Sequence, residues 1–197
     1  MTPGIELHVP EDLRQLYEVR EYKHAAAILF SEFPALYQEI CTGLRTFRFT
    51  KNQILQAGGN ESEIPKTFSQ IFRPMGWIES KLEASLVVDN IPVQQDTHKI
   101  DYVKGRVAFD LEWNSKDQTF DRDLFAFRSF FDYDKISVGI LVTRSERLDP
   151  IFRELGINHK YGASTTHMGK LLPRLKAGRG GGCPLLIFGI TELLLTE

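Results

Sequence analysis

The stretch Lys99-Ile-Asp101-Tyr-Val-Lys104-Gly105-Arg106-Val-Ala108-Phe-Asp110-Leu-Glu112 carries the residue types best suited to chemistry. Lys104-Gly105 between two alternating segments predicts a two-residue hairpin turn, with Val103 opposite Arg106 and Asp101 opposite Ala108. Side chains two apart share a strand face, so Ala108, Asp110 and Glu112 point one way and Asp101 joins them from the partner strand. Three carboxylates then meet on one side, with the α-carbons of Asp101 and Asp110 roughly 7–8 Å apart as diagonal neighbours. Carboxylates gathered on one face repel, and a hard cation held between Asp101 and Asp110 offsets that repulsion. Mg2+ in such a place lowers the pKa of a coordinated water and stabilises charge developing on a phosphate. Three exposed acids on a solvent-facing sheet, with Lys99 and Lys116 as partners, fit the same spacing.

The hairpin needs a scaffold, and the hydrophobic period around it predicts one. Leu82 to Val88, Lys99 to Val103 and Arg106 to Trp113 alternate as strands. Phe120, Leu124, Phe127 and Phe131 recur at helical spacing, which predicts a helix from Phe120 to Phe131 with an aromatic core face. Ile136 to Thr143 reads as a buried strand, Ser145 to Leu155 as a helix, Met168 to Lys176 as a basic helix and Pro184 to Ile190 as a last apolar strand. Upstream, Leu13, Leu16, Tyr17, Ala27 and Ile28 predict one helix from Pro10 to Leu29, and a second runs from Pro34 to Leu44. Gln56 to Ile64 is a polar loop, and Pro65 to Phe72 a short helix. The sum is an α/β fold, a central mixed β-sheet flanked by helices, without internal repeats. A length of 197 residues suits one domain, 1–197. Its helical N-terminal part occupies about 10–75 and its sheet-bearing part about 80–197.

Composition excludes several classes. With 42% hydrophobic and 25% charged residues the chain is globular rather than disordered. No run approaches the ~18 apolar residues of a membrane span, and the first residues lack a signal peptide's basic and apolar regions, so the expected compartment is the cytoplasm. Cys41 and Cys183 stand alone, without zinc or disulfide spacing, and are expected to be reduced, buried thiols. No GxSxG or HExxH is present, and Gly178-Arg179-Gly-Gly-Gly182 is followed by no GK[ST], which argues against a nucleotide cofactor. A net charge of -2 argues against an indiscriminate polyanion binder. The distribution is more telling. No acid lies between Glu154 and Glu192, where Lys160, Lys170, Arg174, Lys176 and Arg179 occur, nor between Glu39 and Glu61, which hold Arg45, Arg48 and Lys51. Acids crowd positions 89 to 121 instead. That pattern suits a cation at the centre with a polyanion around it, although solvated loops of differing charge would look the same.

The acidic stretch resembles the type II restriction endonucleases of the BglII/BstYI kind, within the PD-(D/E)xK nuclease superfamily. Asp101 matches the group's first acid, Asp110 its second and Glu112 the third position of the E-x-Q triplet. Met75-Gly-Trp77-Ile-Glu-Ser80, Asp123-Leu-Phe125, Asp134-Lys-Ile-Ser-Val-Gly139 and Gly178-Arg179-Gly180 before Pro184-Leu-Leu-Ile-Phe-Gly-Ile190 are similar to the same group in the same order. Coverage runs from about residue 30 to 190. Glu112 departs from the usual glutamine and is closer to the acidic third position of BamHI-type enzymes. Asp110 is shorter than the customary glutamate, and no lysine is left to activate water.

The resemblance implies a restriction-endonuclease-like core and Mg2+-dependent, sequence-specific hydrolysis of double-stranded DNA by a homodimer. Asp101 and Asp110 would hold the metal, with Glu112 catalytic beside them. Glu39 resembles the helical acid that many such nucleases place near the metal. Asn114, Ser115 and Lys116 would lie at the DNA, and the spacing adds Ser164, Thr165, Thr166 and His167, small donors and an imidazole at the start of a basic helix. Lys170, Arg174 and Arg179 would take phosphate. A catalytically inactive DNA-binding relative, or a repair or structure-specific nuclease of the same fold, is compatible with the same residues.

Overall fold

A computed structural model describes residues 3–56 and 62–197, with backbone alone at 84, 86, 87 and 94–97; most of the Gln56 to Ile64 loop lies outside the described residues. Helices α1 (Pro3–His8) and α2 (Glu11–Leu16) lead into strand β1 (Tyr17–Tyr22), then α3 (Ala25–Glu32) and α4 (Pro34–Thr46). The short β2 (Phe49–Thr50), α5 (Lys51–Leu55) and α6 (Glu63–Phe72) follow. Strands β3 (Ile78–Val88), β4 (Ile91–Lys104) and β5 (Val107–Glu112) form a meander. Helix α7 (Thr119–Asp132) crosses to β6 (Val138–Arg144), and α8 (Asp149–Glu154) and α9 (Met168–Lys176) precede β7 (Leu185–Ile190) and β8 (Leu195–Thr196).

The main sheet has the order β1-β7-β6-β5-β4-β3. Its centre, β5, β6 and β7, is parallel, whereas β1, β4 and β3 run antiparallel to their neighbours. Helices cover both faces. One core gathers Phe47, Phe68, Phe72, Trp77, Tyr102, Phe109 and Phe188 under the N-terminal helices. The other gathers Phe120, Leu124, Phe127, Leu141, Leu171 and Leu185 under α7 and α9. Every residue of β5, β6 and β7 is buried, as parallel strands covered on both sides must be. The α/β sandwich with a mixed sheet is therefore as the sequence pattern predicts.

Three elements differ from the expectation. The long helix over 10–29 is two short helices with β1 between them. Tyr17 and Val19 are buried while Arg20 is exposed, a local period of two that lets this segment pair antiparallel with the apolar β7. Sheet pairing overrides the helical spacing, and left-handed backbone at Lys23 and His24 turns the chain into α3. The helix over 145–155 divides into a 3-10 turn, Glu146–Leu148, and α8. Strands β3 and β4 extend well beyond 82–88 and 99–103, as an antiparallel ribbon that leaves β5 behind before its tip.

Candidate active site

The hairpin turn is Gly105-Arg106, one residue later than the spacing suggests: Lys104 pairs with Val107, Val103 with Ala108 and Tyr102 with Phe109. Gly105 sits at the first central position with a φ of 56°, backbone that glycine adopts without steric cost. The expected register is thus corrected, and the residue across from Asp101 moves from Ala108 towards Asp110. A slip of two positions preserves the face. One step beyond the last backbone pair, the Asp101 N–H donates to Asp110 Oδ1 at 2.7 Å, so a carboxylate replaces a ladder carbonyl.

Asp101, Asp110 and Glu112 meet on the α7 side of the sheet, and α7 adds a fourth acid, Asp123. Asp110, Glu112 and Asp123 are buried, whereas Asp101 is half-buried. Burial raises the pKa of each of the four from its ordinary value. For Asp110 the charges of Asp101, Asp123 and Glu112 add to burial. Asp123 is pushed up to about 8 by burial and the neighbouring Glu112. Glu112 is partly relieved by a hydrogen bond with Ser115 and by the charge of Arg122. Arg122, on the exposed side of α7, stands 3.7 Å from Glu112 and 3.4 Å from Asp123. Glu112 Oε2 and Asp123 Oδ2 are buried and accept from no N–H or alcohol donor, and the two side chains hydrogen-bond to each other through the proton that the raised Asp123 retains. Gathering several carboxylates in a buried place is costly once their protons leave, and a cation would offset that cost. Among the described residues no three His, Cys, Asp or Glu side chains form a ready cage for a metal. Mg2+ does not need one, because it keeps several waters and is bound through one or two carboxylates plus substrate phosphate.

The two candidate recognition loops come together beside this cluster. Lys116 pairs with Thr165 in an isolated antiparallel bridge, the Asp117 N–H donates to the Ser164 carbonyl at 2.9 Å, and the Thr166 N–H donates to the Ser115 carbonyl at 2.9 Å. Ser115, Lys116 and Ser164 are exposed, whereas Thr166 is fully buried and Asn114 half-buried. Arg144, at the end of β6, braces the second loop by donating to the Tyr161 carbonyl at 3.0 Å and to Thr165 Oγ1. A cleft of about 250 Å3 opens at this brace, lined by Arg144, Glu146, Asp149, Tyr161 and His167; none of the four clustered acids lines it.

The structure separates other candidates from the cluster. Glu39 lies on the opposite face of the sheet, where it accepts from Lys104 Nζ at 2.7 and 2.8 Å and from Trp77 Nε1 at 3.0 Å. Lys104 and Asp101 differ by an odd number of strand positions, so they face opposite ways, and a partner of Lys104 is held away from the acids. Glu39, expected beside the metal, is thus not brought to the acid cluster. Arg174 and Arg179 are engaged by acids, Arg174 with Asp117 and Asp121 at 3.3 Å and Arg179 with Asp121. Lys170 is half-buried on α9, and its carbonyl accepts from Arg174. Arg45 is paired with Asp12. The acid-free stretches are therefore partly neutralised by acids distant in sequence. Sequence reasoning missed Asp123 and Arg122 as site residues. The available signal was an acid on the apolar stripe of a helix, at i+3 from Phe120 and i−4 from Phe127.

A mixed sheet with a hairpin that collects acids at one end, flanked by paired polar loops, is the architecture of the restriction-endonuclease-like nucleases. The family model for restriction endonuclease BglII/BglIII matches residues 17–190, and the chain belongs to that family. It is accordingly a type II restriction endonuclease, a site-specific deoxyribonuclease acting on double-stranded DNA. No individual curated protein matches the chain. Among the described residues no helix is long and apolar enough to cross a membrane.

Proposed function

We propose that residues 1–197 act as one Mg2+-dependent endonuclease domain, working as a homodimer in the cytoplasm, with Asp101, Asp110 and Glu112 as its catalytic acids. The observation that carries this reading is the group of four acids on one face, three of them buried, whose pKa values are raised by burial and by one another's charge. Asp101 and Asp110 would hold the cation, which supplies water activation and charge neutralisation when bound. Glu112, when ionised, would accept a proton from an attacking water. Thr143 Oγ1 donates to the Glu112 carbonyl at 2.7 Å and fixes the end of the catalytic strand. Asn114, Ser115 and Lys116 from one loop and Ser164, Thr165, Thr166 and His167 from the other form a single polar edge to read DNA. Thr166 would do so through the loop it anchors rather than through its buried hydroxyl. Purified protein incubated with plasmid and Mg2+ should yield discrete fragments, and none with EDTA. Intact plasmid under all divalent metals, or cutting confined to branched or damaged DNA, would overturn the proposal.

A further inference from the structure

A DNA phosphate that reaches this site approaches four acids, so it needs cationic help in addition to the metal. Most basic side chains nearby are committed elsewhere. Lys99 pairs with Glu79 at 2.6 Å, Lys104 with Glu39, and Arg174 and Arg179 with Asp117 and Asp121. Arg73 lies over the Tyr102 ring and donates to the Trp77 carbonyl. Arg122 is different. Its partners are two of the four clustered acids themselves: Nε and Nη2 donate to Asp123 Oδ1 at 3.4 Å and Nη2 stands 3.7 Å from Glu112, while the side chain is 46% exposed, so the guanidinium is held at the acid cluster with one face open to solvent. Its charge is felt by Asp101 as well as by Glu112 and Asp123. It also lies in the first turn of α7, where the helix dipole disfavours a cation.

We propose that Arg122 is a further catalytic residue of this nuclease: its guanidinium takes a non-bridging oxygen of the scissile phosphodiester and stabilises the charge that grows there in the transition state. In the hydrolysis a water oxygen bonds to phosphorus and the bond from phosphorus to the leaving ester oxygen breaks. The water proton departs to Glu112 or solvent, the leaving oxygen is protonated by solvent, and Arg122 keeps all its protons. A guanidinium suits the task because it stays charged and presents paired donors matched to phosphate.

This assignment rests on the nuclease reading above, and its test separates the two. Single-turnover cleavage of a cognate duplex is measured for wild type, Arg122→Gln and Arg122→Lys at saturating DNA across a Mg2+ titration. Duplex affinity is measured with Ca2+ in place of Mg2+, and cleavage is repeated with each phosphorothioate diastereomer at the scissile position. Arg122→Gln should be about 10²–10³-fold slower at saturating Mg2+ and lose the wild type's discrimination between diastereomers, with affinity changed less than about tenfold. Arg122→Lys should recover part of the rate. A deficit that vanishes at high Mg2+, a loss confined to affinity, or unchanged diastereomer discrimination would overturn the assignment and leave a shielding role. Wild-type protein that cuts no duplex would overturn the nuclease reading itself, whereas an unimpaired Arg122→Gln variant would overturn only this inference.

Discussion

The rings of Tyr102 and Phe109 lie 4.2 Å apart and 7° from parallel, directly across the β4–β5 ladder. Phe72 meets Phe109 edge-on at 4.6 Å, and the Tyr102 hydroxyl is 2.9 Å from Ser69 Oγ. This stack holds the register from the face opposite the acids, and the residues next along the two strands are Asp101 and Asp110. An aromatic core on one side thus fixes two like charges together on the other. The repulsion is tolerated because moving either acid away requires unstacking the pair.

Asp110→Asn should abolish cleavage, by more than about 10³-fold, since it removes metal oxygen and with it several kcal/mol of Lewis-acid and water-activating assistance. The fold should survive, because a neutral amide in place of a buried charge relieves repulsion from Asp101, Glu112 and Asp123. Single-turnover cleavage and thermal unfolding of the same preparation check both halves. Near-normal cutting would remove Asp110 from the site.

The metal-free protein should lose stability as pH rises. Asp123 titrates near 8 when folded against an ordinary value of 3.8, so between those values the folded state binds more protons than the unfolded state and stability falls with pH. Asp101, Asp110 and Glu112 are shifted in the same direction. Asp123→Asn should therefore raise the metal-free Tm at pH 8 by roughly 4–8 °C, as a ~2 kcal/mol gain would in a domain of this size, and much less at pH 5. Mg2+ should raise the wild-type Tm more at pH 8 than at pH 5, because its ligands must be ionised. A flat Tm between pH 5 and 8.5 without metal would contradict this.

The strand face of Asp101, Asp110 and Glu112 was legible because it depends only on the parity of strand positions, which survived an error in the turn. What required three dimensions was everything that parity and period do not encode. Tyr17–Tyr22 carries helical spacing into α2 and strand spacing of its own, and only the presence of β7 decides between them. Glu39 looked available until the far side of β4 presented Lys104 and Trp77. Arg174 and Arg179 read as phosphate ligands until Asp117 and Asp121, more than fifty positions away, proved to be their partners. Charge counted along the chain does not say which charges meet.

Glu39→Ala should lower stability without touching the chemistry. It leaves the buried Trp77 N–H without its carboxylate and strips Lys104 of its partner, a loss of roughly 1–3 kcal/mol, or about 2–12 °C in Tm. The single-turnover rate at a temperature where the variant is folded should stay within about twofold of wild type. A hundredfold loss of rate in folded protein would return Glu39 to the catalytic machinery.

The active species should be a symmetric dimer on a palindromic or near-palindromic site. On the proposed assignment each chain would contribute one catalytic cluster of Asp101, Asp110 and Glu112, and a single such cluster would cut one strand at a time. Cutting both strands at fixed positions is most simply done by two copies related by the two-fold axis of DNA. The charge arrangement favours the same answer. With Arg45 paired to Asp12, and Arg174 and Arg179 paired to Asp117 and Asp121, part of the basic surface of one protomer of net charge -2 is already taken by its own acids. Two protomers double the contacts from exposed Lys116, from Arg122 and from the paired loops, and affinity rises with each phosphate neutralised. Sedimentation of protein with a cognate duplex should give two chains per duplex, and both strands should be cut in one binding event at low protein concentration. A single chain on the duplex, with double-strand cutting first order in that chain, would defeat the two-fold arrangement and require one cluster to serve both strands in turn.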